Sequence, residues 1–181
     1  DRAVFEVTCY AKCEEDAISE QIRKQVDCWR NIKELEPREA AGQIFADGID
    51  ILFDLSGHTR NNCLPIMAYK PAPVQICGIG YFDTTGLPTV DYFLVDQYTD
   101  PVGCNDDYFC ENLLRLNHSH FCYVPPDDMP PVPVAPCVRH GYITFASFNN
   151  FSKTTDEMLL LWKQILEKTK DSQLILKSRI F

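Results

Sequence analysis

The 181-residue sequence is short of the features that commit a chain to several large function classes. Basic residues are outnumbered: 17 Lys and Arg face 26 Asp and Glu, for a net charge of −9. That deficit argues against nonspecific binding to nucleic acid or to an anionic membrane, since both reward a basic face. No apolar run approaches the roughly 18 residues that a membrane span needs, and no secretory signal opens the chain. No GxGxxG or Walker pattern is present, so the common glycine-rich phosphate loops are missing. No Asp-x-Asp pair occurs, which removes one usual carboxylate platform for a divalent ion. Nine cysteines are present, an odd number, and no two have CxxC spacing. Several sit in apolar runs ("VTCYA", "VQICGI", "HFCYV"). They read as reduced, buried thiols of a cytoplasmic protein, not as a zinc site or a disulfide framework.

What remains is an alternation of strands and helices. "VFEVTCYA" (4–11) alternates and is rich in β-formers. "EEDAISEQIRKQV" (14–26) places Ala17, Ile18, Ile22 and Val26 at helical spacing. "EPREAAGQIFADG" (36–48) is a second helix, with Pro37 in its first turn. "IDILFDL" (49–55), "APVQICGIG" (72–80) and "VDYFLVD" (90–96) read as strands, the first two as buried parallel ones. "NCLPIMAYK" is a short helix or turn, and "ENLLRLN" and "FCYVP" are two further short strands. "GHTRNN" (57–62) and "GYFDTTGLP" (80–88) are loops.

Composition then shifts. "VPPDDMPPVPVAPC" (124–137) holds six of the twelve prolines, a density that reads as a semi-rigid extended connector. Beyond it come a strand at 142–148, a helix at about 155–169 and a strand at "QLILKS" (173–178), a minimal βαβ unit. The expected organisation is α/β with parallel sheets in two lobes: residues 1–124, a linker at 125–140, and a second lobe at 141–181. A single βαβ leaves edges unpaired, so the chain is expected to stop inside a larger protein.

Ligands of open parallel sheets bind at the carboxyl ends of strands. "FNNFSKTT" (148–155) lies at such an end. A capping box starting at Thr154, free helix-start amides, the charge of Lys153 and the amide donors of Asn149 and Asn150 together suit a diphosphate. Asn-Asn is equally common turn chemistry, and a lysine beside a turn is usually solvated. His58 in "GHTRNN" reads as a proton carrier or as an exposed loop histidine. The three glycines of "GIGYFDTTG" admit either close approach by a peptide or sugar or simple tight packing. "NHSH" (117–120) reads as an exposed turn.

Taken in order, "DGIDILFDLSGHTRNN", "KPAPVQICGIGYFDTTGLPTVDYFLVDQYTDP", "FCYVPP" and "ITFASFNNFSK" resemble the catalytic region of O-linked N-acetylglucosamine transferases. This is glycosyltransferase family 41, which also holds the Spindly-type O-fucosyltransferases. The resemblance implies two Rossmann-like lobes of GT-B type, the amino-terminal one nearly complete and the carboxyl-terminal one only begun. It implies an inverting, metal-independent transfer of N-acetylglucosamine from UDP-GlcNAc to Ser/Thr hydroxyls of proteins, with transfer of fucose from GDP-fucose, or a non-catalytic binding module, as alternatives. Lys153 matches the family lysine that contacts the donor diphosphate, and Asn149 and Asn150 match the polar turn beside the donor. Ile79, Gly80 and Tyr81 match a segment lining the cleft where sugar and acceptor meet. His58 and Thr59 match an acceptor-side loop. The histidine, and "TTGLPTVDY", are more similar to bacterial and Spindly-type members. Gly78 stands where many members carry a large residue, which implies a more open cleft wall.

The same resemblance places an Asn-His-Pro loop upstream of "FEVTCYA", a uridine pocket downstream of Phe181, and tetratricopeptide repeats elsewhere in the protein. The isolated 181 residues are therefore expected to show no turnover with either nucleotide sugar. A radiolabel transfer assay checks this, and detectable transfer would contradict it.

Overall fold

A computed structural model describes residues 3–126, 128–131 and 134–177. The chain divides into two compact units, Asp1–Tyr123 and Val124–Phe181. Among the described residues no helix is long and apolar enough to cross a membrane.

The first unit opens with a parallel pair, β1 (Thr8–Ala11) and β2 (Cys28–Asn31), joined by helix α1 (Ala17–Arg23). The helical pattern at 14–26 overreaches because Asp16 caps the helix. Its carboxylate accepts from the Ser19 amide at 2.8 Å, and the Ser19 hydroxyl accepts from the Asp16 amide at 3.2 Å. The short strand β2, "CWRN", has no apolar alternation to reveal it. Helix α2 (Pro37–Ala46) carries Pro37 at its start and turns Ala40, Ala41 and Ile44 into the core. Its carboxyl end is tied back to the strand pair: the Tyr10 hydroxyl donates to Asp47 at 2.7 Å, and Arg30 donates to the same carboxylate at 3.2 Å.

Four parallel strands follow, β3 (Ile51–Asp54), β4 (Val74–Gly78), β5 (Tyr92–Asp96) and β6 (Asn112–Leu116), hydrogen-bonded in that order. Helix α3 (Leu64–Met67) lies in the β3–β4 connection. Side chains alternate across such a sheet. Leu52, Cys77, Phe93 and Val95 lie on one face, in a core they share with Ile32, Ala40, Ala41, Ile44, Ile66 and Met67. The registers Phe53↔Ile76↔Tyr92 define the other face. On it Ile51, Phe53, Tyr92 and Leu114 are exposed. The apolar run of β3 therefore does not mean burial on both sides: Leu52 is buried while Ile51 and Phe53 are exposed, although Ile76 of β4 is buried on their face. "FCYVP" is not a strand; Phe121 and Tyr123 are exposed in irregular backbone.

The second unit contains helix α4 (Pro136–His140), strand β7 (Thr144–Ser147), helix α5 (Asp156–Lys168) and strand β8 (Gln173–Leu176), with β7 and β8 parallel. Helix α4 falls inside the stretch read as extended connector. Its proline occupies a first-turn position, where the missing N–H costs nothing. Residues 127, 132 and 133 of that connector, and residue 178 of "QLILKS", lie outside the described residues.

Phe93 is 2% exposed and Phe53 is 44% exposed, on opposite faces of one sheet. Phe93→Ala is expected to cost about 3–5 kcal/mol by denaturant titration. Phe53→Ala should cost less than about 1 kcal/mol. Equal losses would contradict the one-sided core.

Candidate functional site

The carboxyl edge of the four-stranded sheet is built by acids that end strands. Asp54 is the last residue of β3 and is buried. One of its oxygens accepts from the Ser56 amide (3.1 Å) and the Ser56 hydroxyl; the other accepts from the Gly57 amide (2.8 Å) and the Cys77 thiol (3.3 Å). Burial, followed by the charge and hydrogen bond of Asp54, pushes the Cys77 thiol well above the ordinary thiol range. The chain thus reverses within three residues of β3. Thr59 closes the turn with its hydroxyl on the Ser56 carbonyl (3.0 Å) and its amide on the Gly57 carbonyl (2.9 Å).

The β4 end interlocks with this turn. The Gly80 amide donates to the Gly78 carbonyl at 2.9 Å across Ile79, which sits at φ 73°. That is a three-residue γ-turn, and a β-branched residue in the left-handed region is strained by about 1–3 kcal/mol. A Cβ on Gly80 would stand 2.1 Å from the Leu55 carbonyl oxygen, and one on Gly57, itself at φ 53°, 2.6 Å from the Tyr81 Cβ. What closely approaches the Gly80 backbone is therefore the chain's own β3 turn. The side chains of Ile79 and Tyr81 remain exposed beside it. Gly78 does not open a wall, because Leu94 occupies the space: a Cβ there would lie 2.8 Å from the Leu94 Cβ.

His58 bridges the two loops. Its Nε2 lies 3.2 Å from the Thr84 carbonyl oxygen and 3.1 Å from that of Thr85, and its ring meets Tyr81 edge-on at 5.5 Å. Both partners are acceptors, so Nε2 carries hydrogen and donates. The exposed histidine of the sequence reading is thus anchored through one nitrogen, and Nδ1 is the nitrogen left for an incoming group.

The third strand end corrects the reading of "NHSH" as an exposed turn at one residue: Asn117, His118 and Ser119 are exposed, but His120 is not. His120 is 5% exposed and Asp96, the last residue of β5, is 1% exposed. One Asp96 oxygen accepts from the His120 amide (2.8 Å) and the His120 Nδ1–H (2.7 Å); the other accepts from the Tyr98 and Thr99 amides, both at 2.8 Å. The His120 amide foremost, with the Thr99 amide, the His120 ring and the Tyr98 amide, holds the Asp96 carboxyl far below the usual carboxylate range despite its burial. The His120 ring stacks on Phe121 at 4.4 Å and meets Phe82 at 6.0 Å. The visible signal was the acid closing each apolar run, in "ILFD" and "YFLVD".

In the second unit, Asn150 caps one turn of 3-10 helix over Phe151–Lys153, its side chain accepting from the Ser152 amide at 3.2 Å. The Thr154 amide closes that turn on the Phe151 carbonyl at 2.9 Å. The helix cap consequently shifts by one residue: Thr155, not Thr154, caps α5, with its hydroxyl accepting from the Met158 amide at 3.3 Å. No capping box forms with Glu157. The Glu157 amide foremost, with the Thr155 hydroxyl, holds the Glu157 carboxyl below its ordinary value. Lys153 and Asn149 are exposed at the end of β7, and Lys153 makes no ion pair among the described residues. The structure thus groups His58, Thr59, Ile79, Gly80 and Tyr81 on one edge of the first unit, and Asn149, Asn150 and Lys153 at one strand end of the second. No group of three His, Cys, Asp or Glu side chains suited to a metal ion occurs among the described residues. The thiols are less buried than expected: all nine are free, only Cys77 is buried, and Cys13, Cys104, Cys110, Cys122 and Cys137 are exposed.

Comparison with known proteins gives consistent matches. The sequence model described as Glycosyl transferase family 41 matches residues 1–125. A tomato (Solanum lycopersicum) protein named probable UDP-N-acetylglucosamine–peptide N-acetylglucosaminyltransferase SPINDLY is 38% identical over 178 residues, covering 98% of this chain and 19% of that protein. The Arabidopsis thaliana protein of the same name is 40% identical over 162 residues, covering 90% and 18%. A lysine-to-methionine mutant of the Thermobaculum terrenum O-GlcNAc transferase superposes with a TM-score of 0.88 at 35% identity, covering 97% of this chain and 33% of that one. The chain spans about a fifth of the length of these relatives and a third of the solved chain.

Two substitutions on the β4 loop should move stability in opposite directions in one denaturation series. Ile79→Gly relieves the left-handed strain and raises stability by about 1 kcal/mol. Gly80→Ala lowers it by about 3 kcal/mol. The same sign for both would contradict the interlock. Asp96 sets a pH dependence. Its folded value is depressed below the unfolded value of about 3.9, so its contribution is full above that value and is lost as pH falls through the folded one. Asp96→Asn should therefore flatten the acid limb of stability below about pH 4. An unchanged acid limb would contradict the assignment.

Proposed function

The chain belongs to glycosyl transferase family 41, with the parallel α/β fold of GT-B type, and from that premise we propose that it is the central part of an inverting protein O-N-acetylglucosaminyltransferase. The donor is UDP-GlcNAc and the acceptor is a Ser or Thr hydroxyl of a protein. The observation that carries this reading is the β7–α5 turn: an exposed lysine without an ion pair among the described residues, set at a strand's carboxyl end directly before a helix start. A full positive charge beside the positive end of a helix favours a diphosphate.

In the proposed reaction the acceptor hydroxyl attacks the anomeric carbon opposite the diphosphate. The new C–O bond forms as the bond to the diphosphate oxygen breaks, and the hydroxyl proton leaves to solvent or a base. Lys153 stabilises the negative charge that grows on the departing diphosphate, work that a divalent ion performs in metal-dependent transferases. Asn149 and Asn150 flank the donor. Ile79, Gly80 and Tyr81, with His58 and Thr59, form the acceptor side, where a strained γ-turn and an anchored imidazole supply a rigid edge. The remainder of the enzyme, including tetratricopeptide repeats that recruit acceptors, and a cytoplasmic location belong to the same proposal; nine free cysteines support the location.

The test uses the full-length protein with UDP-GlcNAc and GDP-fucose in parallel. Transfer is expected from UDP-GlcNAc. Lys153→Ala is expected to lower kcat by about 100-fold or more with an unchanged circular dichroism spectrum. Unchanged rates would remove Lys153 from the mechanism, and transfer from GDP-fucose alone would replace the donor.

A further inference from the structure

Thr84 and Thr85 hold the His58 ring through their carbonyls, and something must hold them. Glu111, immediately before β6, is 5% exposed. One of its oxygens accepts from the Thr85 amide at 2.8 Å and from the Thr85 hydroxyl; the other accepts from the Thr84 hydroxyl at 2.7 Å. The two hydroxyls work in both directions. Thr84 Oγ1 also accepts from the Gly86 amide (3.1 Å) and the Cys110 amide (3.3 Å), and Thr85 Oγ1 accepts from the Leu87 amide (3.1 Å). The Thr85, Gly86 and Leu87 amides and both threonine hydroxyls are thus spent on Glu111 or on a threonine oxygen, and the Thr84 amide is spent on Asp83 at 2.8 Å. The Thr84 and Thr85 carbonyls are left outward, converging on one imidazole nitrogen.

We infer that Glu111 is a positioning residue for the acceptor side of the site, fixing through Thr84 and Thr85 both the place of the His58 ring and which of its nitrogens carries hydrogen. The kinetic part of this inference rests on the proposed transferase function; the structural part does not. Burial opposes ionisation of Glu111, but the hydrogen bonds from Thr85 and Thr84 outweigh it and hold the carboxyl below its ordinary value. An ionised carboxylate offers only acceptors, and all three contacts here require an acceptor. Glu111 is buried and its hydrogen bonds go to Thr84 and Thr85, so it acts on His58 through this loop.

The first experiment is 1H–15N NMR of the His58 ring in the 181-residue chain. The wild type should show a slowly exchanging Nε2–H. Replacing both hydroxyl donors, Thr84→Val with Thr85→Val, should abolish that signal, as should Glu111→Ala. The Thr84→Ser, Thr85→Ser pair, which keeps both hydroxyls, should retain it. A persistent signal in the valine pair overturns the inference, whether or not Glu111→Ala folds. The second experiment is a double-mutant cycle in the full-length protein. The valine pair should lower kcat/KM for the acceptor about tenfold or more, leave the donor KM unchanged, and cost nothing further in a His58→Ala background. The serine pair should restore the rate. Additive losses, which a merely structural role would give, overturn the inference. If wild-type protein transfers no sugar, the proposed function fails and the NMR result alone decides the role of Glu111.

Discussion

A parallel strand that stops at the edge of its sheet leaves backbone N–H groups without ladder partners, and those groups must be satisfied where the chain turns. In this protein buried carboxylates satisfy them. Asp54 at the end of β3 and Asp96 at the end of β5 each gather amides of their own turn, and Glu111 gathers donors of the neighbouring loop. A carboxylate accepting several such bonds is stabilised in its charged form even when buried. The turns after β3, β4 and β5 are therefore short, fixed and self-satisfied. Ile79 is held in a strained conformation because the turns on either side leave it no alternative.

The two units support a division of labour. The first offers an edge of exposed Ile79 and Tyr81 beside the anchored His58, with Asp54, Asp96 and Glu111 buried and hydrogen-bonded beneath it. The second offers a cation with no ion pair among the described residues, beside a helix start. A diphosphate suits the second and a polypeptide the first. In the proposed reaction each unit has one role: acceptor alignment in the first, stabilisation of the leaving group in the second.

Much of this was legible in the sequence. Apolar runs located β3, β4 and β5, the proline cluster marked the change of unit, and the ordered loops carried the family. Other features were hidden for physical reasons. The strand "CWRN" pairs through its backbone and shows no alternation. The apolar run of β3 records β propensity on both faces, although Ile51 and Phe53 on one of them are exposed. "NHSH" is polar, yet His120 is buried because Asp96 receives both its amide and its ring N–H. The cap of α5 moved by one residue because a single 3-10 turn used Thr154 first. Gly80 is exposed, but in the direction a Cβ would take it is the Leu55 carbonyl that approaches its backbone, a long-range contact that the local sequence does not signal. Glu111 lies 26 residues from the threonines it holds, and nothing local signals that pairing.

The proposed transfer depends on the Lys153 ammonium neutralising a departing diphosphate. Calorimetric titration of the full-length protein with uridine diphosphate and with uridine measures this directly. Wild-type protein should bind the diphosphate far more tightly than the nucleoside, and Lys153→Ala should erase most of that difference while leaving uridine binding as it was. If Lys153→Ala retains the wild-type preference for the diphosphate, the claim is wrong.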